Sequence, residues 1–134
     1  MVLPSGIRLL PVGVMLLGGS ACGSSQDLPV QDTAEEFYAA VARHDGRAAC
    51  RLLAPETLSQ VEESAQATCA EAVLQELRPE VRDPEQVKVF GTMAQVGYDG
   101  ETVFLTRFRD GWKVMAAGCS PEAAERYDCQ VDGG

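Results

Sequence analysis

The cysteines constrain this chain more tightly than any other feature of the sequence. There are five of them, at Cys22, Cys50, Cys69, Cys119 and Cys129. An even number of cysteines in an exported chain is typical of disulfides, so the last four can pair if Cys22 has a separate role. Spacing favours the pairs Cys50–Cys69 and Cys119–Cys129 among the three possible pairings. A structural zinc site would need closely spaced ligand pairs and a redox site a C-x-x-C motif, and the sequence contains neither.

The first 21 residues are typical of a secretory signal. Arg8 and the amino terminus supply positive charge, residues 9–17 are mostly apolar, and small residues follow. The apolar stretch is shorter than the roughly 20 residues that a membrane-spanning helix needs. We expect residues 1–21 to be a signal peptide that is removed, and they take no part in the predicted fold.

Cys22 stands directly after this signal. The preceding Gly19-Ser20-Ala21 resembles the lipobox of bacterial lipoproteins, and Gly23-Ser24-Ser25 resembles their spacer. This resemblance implies that the Cys22 thiol carries a diacylglycerol and that two or more acyl chains hold the protein on the cell membrane, at its extracytoplasmic face. The alternative is ordinary signal-peptidase cleavage after Ala21, which leaves a free thiol.

The charge of the chain limits its partners. The formal net charge is −9, and removing residues 1–21 removes Arg8 and no acid, which leaves −10. Such a surface repels nucleic acid and anionic lipid headgroups. We therefore expect no nucleic-acid partner, and we assign membrane attachment to the lipid on Cys22.

We predict that the mature chain consists of a lipidated flexible tether, residues 22–31, followed by a single α+β domain, residues 32–134. Thr33 and Glu36 form a capping box that predicts the start of a first helix. Asp45-Gly46 predicts its end. A short second helix, a third helix from Pro55 and a fourth helix capped by Thr68 complete the predicted helical half.

The second half changes to a strand-like pattern, in the runs VKVF, MAQVGY, ETVFLTRF and GWKVMAAG. Asp99-Gly100 and Asp110-Gly111 separate the last three runs and predict hairpins in which both turn residues have positive φ. YDCQV predicts a short edge strand held by the second disulfide. N-terminal helices packed on a C-terminal antiparallel meander make an α+β, cone-like roll with two disulfides.

Two stretches carry a resemblance to known proteins. AEEFYAAVARHDGRAACRLLAPETLSQ resembles the opening of nuclear-transport-factor-2-like (SnoaL-like) domains. DGWKVMAAGCSPEAAERYDCQVDGG resembles the end of a group of small actinobacterial exported lipoproteins of unknown function. The resemblance implies a cone with a pocket between sheet and helices, in a fold that carries isomerases, hydrolases and non-catalytic domains alike.

Polar candidates for chemistry are few. His44 beside Asp45 has the composition of half a catalytic pair, but a turn residue that helps to end a helix is the simpler interpretation. Arg107 and Arg109 lie two apart on one strand and could hold an anion, or they balance nearby acids. The sequence contains no recognisable metal or cofactor motif.

The aromatic candidates are Phe37, Tyr38, Tyr98 and Trp112, which either fill the core or line a pocket for an apolar ligand. We expect a non-catalytic envelope module that binds a partner protein or a small apolar ligand. The alternative is a SnoaL-like enzyme that acts on a small hydrophobic substrate in the cone.

Overall fold

Helices form the first half of the domain and strands form the second, as the sequence predicts. The computed structural model describes residues 25–80 and 82–134, so the predicted signal peptide and Cys22 lie outside the described residues. The helices are α1 Asp27–Ala42, α2 Gly46–Arg51, α3 Pro55–Ala65 and α4 Cys69–Glu76. The strands are β1 Gln86–Phe90, β2 Met93–Tyr98, β3 Glu101–Phe108, β4 Gly111–Pro121 and β5 Tyr127–Asp132. They form one antiparallel sheet in the order β1-β2-β3-β4-β5, so the predicted α+β meander is confirmed.

α1 begins earlier than predicted. Its first residue is Asp27, and Val30 is already fully buried. Thr33 therefore lies inside the helix, where its hydroxyl donates a hydrogen bond to the Pro29 carbonyl instead of capping the N-terminus. The predicted capping box is wrong, and residues 27–31, which we expected to be tether, form the first turns of the helix.

The junction of α1 and α2 explains the His-Asp-Gly turn. His44 has a φ of 58°, and its N–H donates to the Val41 carbonyl, while the Asp45 N–H reaches the Ala40 carbonyl. These two bonds form the Schellman motif that satisfies the last carbonyls of a helix. The Asp45 carboxylate then accepts from the Ala48 N–H and caps α2. His44 thus ends a helix, in agreement with the simpler interpretation.

Local sequence features also determine where α3 and α4 begin. Pro55 occupies the first turn of α3, where its missing N–H costs nothing. The Thr68 hydroxyl caps α4 by accepting from the Glu71 N–H. The Glu62 carboxylate of α3 accepts a hydrogen bond from the Cys69 N–H at the start of α4.

Both predicted disulfides are present. Cys50–Cys69 joins α2 to the first residue of α4. Cys119–Cys129 links directly paired residues of β4 and β5. The two disulfides join residues that are 19 and 10 positions apart in the sequence. In the chain-entropy model, closing loops of this length contributes about 3 kcal/mol per disulfide to stability.

The hairpin turns differ from the prediction in one respect. Asp99 and Gly100 connect β2 to β3, and only Gly100, with a φ of 73°, has positive φ. The β3–β4 turn consists of Arg109 and Asp110, with Gly111 already paired to Phe108. Two-residue loops therefore form at both sites, but neither has positive φ at both central positions.

Side chains alternate across the sheet, and one face packs on the helices. Val103 and Leu105 are fully buried against the helices, whereas Phe104 and Phe108 point to the other face. The core contains residues from all four helices and from strands β2 to β5, including Phe37, Val41, Val61, Val73, Val96, Leu105, Val114 and Val131. The helical layer and the sheet therefore share one continuous core.

Candidate functional site

Tyr38 is the centre of a buried hydrogen-bond network between α1 and the sheet. Its side chain is 2% exposed, and its hydroxyl donates to the Glu101 carboxylate at the start of β3. The same hydroxyl accepts from the Gly118 N–H on β4 at 3.2 Å. Tyr38 therefore uses its hydroxyl both as donor and as acceptor and ties one helix to two strands.

A β-bulge in β4 makes the Gly118 N–H available for this hydrogen bond. Thr102 pairs with Cys119 whereas Phe104 pairs with Ala116, so β4 contains one extra residue between these pairs. Gly118 lies in this extra length with a φ of 64°, a conformation that favours glycine. The bulge removes the Gly118 N–H from the β3–β4 ladder, and the group becomes available to Tyr38.

Arg82 completes the network from the irregular segment between α4 and β1. Its guanidinium forms an ion pair with Glu101, and both side chains are largely buried, at 18% and 15% exposure. The guanidinium carbon also lies 5.1 Å from the centroid of the Tyr38 ring, in cation–π distance. A second carboxylate, that of Glu80, approaches Arg82 at 3.5 Å. The positive charge of Arg82 is therefore held between acids and an aromatic face.

Tyr98 packs edge-on against Tyr38, with ring centroids 5.2 Å apart. Its buried hydroxyl has no hydrogen-bond partner among the described residues. Burial raises the pKa of Tyr98 above its ordinary value, and the nearby Glu35 charge raises it further. Burial also raises the pKa of Tyr38 to about 12. Both hydroxyls are therefore protonated at neutral pH and can donate hydrogen bonds, but they cannot act as bases.

Two cavities open beside this network. One has a volume of about 540 Å³ and includes Tyr98, and the other has a volume of about 370 Å³ and includes Gly118. Both are bordered by Arg82 and Glu101, and most of the remaining side chains that line the larger cavity are charged. The acids around them are Glu76, Glu80, Asp83, Glu85, Asp99 and Glu101, and the bases are Arg78 and Arg82. This acidic rim, which we call the distal rim, surrounds the β2–β3 turn.

Three of the four predicted aromatic residues lie together. Phe37 contacts Tyr38, with centroids 5.5 Å apart, and Tyr38 contacts Tyr98. Trp112 lies at a different level of the sheet. It pairs with Arg107 near the end of β3, whereas Tyr98 pairs with Glu101 at the start of β3. Six residues of β3 separate these two levels of the sheet, about 20 Å.

Trp112 and the predicted arginines share a different cavity, of about 490 Å³, near the β3–β4 turn. Trp112 is buried, and its indole N–H donates to the Gln26 side chain at 3.0 Å. Arg107 and Arg109 are exposed at the edge of this cavity. They border it together with Asp110, so the cavity is not purely cationic.

Sequence reasoning missed Arg82, Glu101 and Gly118. Arg82 lies outside any regular element, and Glu101 is 63 residues from its partner Tyr38. Only Gly118 left a local signal, a glycine within a strand-like run that often marks a bulge. Among the described residues, no group of histidines, cysteines and carboxylates is arranged to hold a metal ion. In the same part of the chain, no helix has the length and apolar character needed to cross a membrane.

Comparisons with known proteins add little to this geometry. No protein-family model matches the sequence, and no curated protein matches it either. Among solved structures, the chain matches Rv3472, a function-unknown protein from Mycobacterium tuberculosis, at 12% sequence identity and a TM-score of 0.35. The match covers 77% of this chain and 66% of that chain, just under two thirds of its length.

Proposed function

We propose that this protein is a lipid-anchored module of the bacterial envelope, exposed at the extracytoplasmic face of the membrane, that binds a partner and does not turn over a substrate. The signal-like first 21 residues, the small residues before Cys22 and the two disulfides support this location. The packing of the interior supports the binding role.

The single observation that carries the proposal is a filled core. Phe37 and Leu105 are fully buried between helices and sheet, at the position where a substrate cavity would lie. Among the described residues, Thr57 is the one buried residue of polar or charged type, and its hydroxyl donates to the Met115 carbonyl. The buried groups of shifted pKa are the hydroxyls of Tyr38 and Tyr98, and no carboxylate or imidazole of the described residues is fully buried beside them.

The distal rim is the surface that we assign to the partner. Its acids outnumber Arg78 and Arg82, and Asp99 is exposed at the tip of the β2–β3 turn. Open cavities lined by charged groups suit a basic protein surface better than a small apolar ligand. Of the two ligand classes that the sequence suggests, this geometry favours a protein.

One observation favours a second candidate function. The Tyr98 hydroxyl is buried and protonated, it has no hydrogen-bond partner within residues 25–80 and 82–134, and Tyr98 borders the larger cavity. A SnoaL-like enzyme acting on a small hydrophobic substrate would use such a donor to hold a substrate oxygen. This alternative predicts that a small molecule remains bound to the purified protein.

Fractionation of cells that express the wild type and Cys22→Ala tests the anchor. We expect the wild type in the membrane fraction and Cys22→Ala in the soluble fraction. A Cys22→Ala protein that stays in the membrane fraction would contradict lipid attachment.

Site-specific photo-crosslinking in the envelope tests the partner. A crosslinker in place of Asp99 is expected to trap one discrete protein, and Asp83→Asn with Glu85→Gln is expected to reduce that product. The matched control is a crosslinker in place of Ser59, which is exposed on α3. Equal products from both positions, or a small molecule retained in native mass spectrometry, would contradict the protein-binding role.

A further inference from the structure

The first described residues lie at one particular end of the sheet. Gln26 accepts from the Trp112 indole, and Trp112 pairs with Arg107 beside the β3–β4 turn. The Arg107 N–H donates to the Thr92 carbonyl in the β1–β2 turn at 2.8 Å. The start of α1 and both of these turns are therefore neighbours, at what we call the tether end, opposite the distal rim.

Exposed apolar side chains collect at the tether end. Of the five large hydrophobic residues that are exposed in the described chain, four lie there: Leu28 at 70%, Phe90 at 59%, Phe108 at 42% and Met93 at 38%. Phe90 and Met93 are directly paired across the β1–β2 turn. The fifth residue, Tyr127, pairs with Pro121 towards the other end and packs on Phe104. The apolar surface is therefore localised.

Basic side chains accompany this apolar surface. Arg107 and Arg109 are exposed on either side of Phe108 in the sequence, and Lys113 lies close by, with its Nζ 3.6 Å from Asp110. Acids at this end include Asp27, Glu56 and Asp110. The tether end therefore has charges of both signs, whereas acids outnumber bases in the lining of the distal rim. A chain of net charge −9 thus presents two exposed arginines within an apolar surface at one end.

The length of chain between Cys22 and Gln26 sets how far this surface can stand from a lipid on Cys22. Four residues span at most about 14 Å when fully extended. That reach is shorter than the distance of about 20 Å along β3 between the level of Trp112 and the level of Tyr98. A lipid on Cys22 therefore brings the tether end, and not the distal rim, to the headgroups.

We propose that the tether end is a second membrane contact, in which Leu28, Phe90, Met93 and Phe108 enter the interface of an anionic bilayer and Arg107 and Arg109 bind its headgroups. Aromatic and basic side chains together are the composition of peripheral membrane surfaces. This inference rests on the proposed lipid anchor, and it orients the molecule so that the distal rim projects away from the membrane. The net negative charge does not oppose the contact, because screening confines each charge to about 10 Å.

Vesicle binding of the mature chain with Cys22→Ser separates this surface from the anchor, because that variant cannot be acylated. We expect it to sediment with equimolar phosphatidylglycerol–phosphatidylcholine vesicles and not with phosphatidylcholine alone. Phe90→Ser, Phe108→Ser and Arg109→Glu are each expected to weaken binding by about tenfold. These residues are exposed, so their replacement should leave the fold intact.

Tyr127→Ser and Arg126→Glu are the matched controls, since they make the same changes towards the distal end. We expect both to bind like the parent. Equal weakening by the controls, or equal binding to neutral and anionic vesicles, would overturn the proposed surface.

Orientation of the acylated protein provides the second measurement. Trp112 is the one tryptophan of the chain, and headgroup spin labels are expected to quench its fluorescence strongly. The combined variant Trp112→Phe and Tyr127→Trp moves the reporter to the other end, where quenching should be weak. Equal quenching at both positions in an acylated, membrane-bound protein would overturn the contact while the anchor stands. If the native protein is not acylated but the mature chain still binds anionic vesicles, the lipid anchor is wrong and the proposed membrane contact stands.

Discussion

The indole N–H of Trp112 donates to the side-chain oxygen of Gln26 across 86 residues of sequence, at 3.0 Å. This bond fixes the beginning of α1 against the β3–β4 hairpin. The direction in which the preceding chain leaves the domain therefore follows from one side-chain contact.

Replacing Gln26 by alanine tests that contact. The variant removes the acceptor of a buried indole, so we expect it to lower the free energy of unfolding by about 1–2 kcal/mol. Urea unfolding followed by circular dichroism measures the change. Gln60→Ala, on the exposed surface of α3, is the control and should have no measurable effect. Equal stabilities of the two variants would show that the Trp112 contact does not hold the start of α1.

The glycine in the β4 bulge is a second test. A Cβ at Gly118 would lie 3.0 Å from side-chain atoms of Gln130 and Leu77, in a backbone of positive φ. Gly100 also has positive φ but has open space around it. We expect Gly118→Ala to destabilise the protein by about 2–4 kcal/mol and Gly100→Ala by about 1 kcal/mol. Similar losses in thermal or urea unfolding would mean that the bulge tolerates a side chain.

The two buried tyrosines predict opposite results for the same substitution. Tyr38→Phe removes a hydroxyl that is hydrogen-bonded to Glu101 and to Gly118, so it should lower the free energy of unfolding by about 1–3 kcal/mol at neutral pH. Tyr98→Phe removes a hydroxyl that has no hydrogen-bond partner in the described part of the chain, so it should be neutral or slightly stabilising. Urea unfolding of the pair distinguishes them. A large loss in Tyr98→Phe would reveal a hydrogen bond at that hydroxyl.

Alkaline pH is expected to weaken the fold. Burial raises the pKa of Tyr38 from 10.0 to about 12, so between these values the folded state retains a proton that the unfolded state loses. The stability from this difference is fully present below pH 10 and disappears as pH rises towards 12, a loss of roughly 2–3 kcal/mol. Tyr98 acts in the same direction. Tyr38→Phe should flatten this part of the stability–pH curve, and an unchanged slope would contradict the assignment to Tyr38.

Much of the fold could be predicted because its signals are local. The strand runs, the Asp-Gly pairs and the spacing of the last four cysteines each act within a few residues or across one hairpin. The start of α1 could not be predicted, because the capping signal at Thr33 competes with burial of Val30 one turn earlier. Tertiary packing outweighs a local preference there.

The candidate site was less predictable for a related reason. Tyr38 and Tyr98 were named as aromatic residues, but their network depends on Glu101 and Arg82, which one helix, three strands and the segment before β1 bring together. The position of Trp112 depends on strand register, which determines that it lies about 20 Å from Tyr98. Neither the hydrogen-bond network nor the position of Trp112 can be inferred from residue types alone.

The most direct test of the account is the intact mass of the protein extracted from the membrane of its native host. We expect a chain that begins at Cys22, carries a diacylglycerol and fatty acyl groups, and has lost four hydrogens to the two disulfides. A chain of unmodified mass that begins at Cys22, or one that retains residues 1–21, would contradict the lipid-anchored assignment.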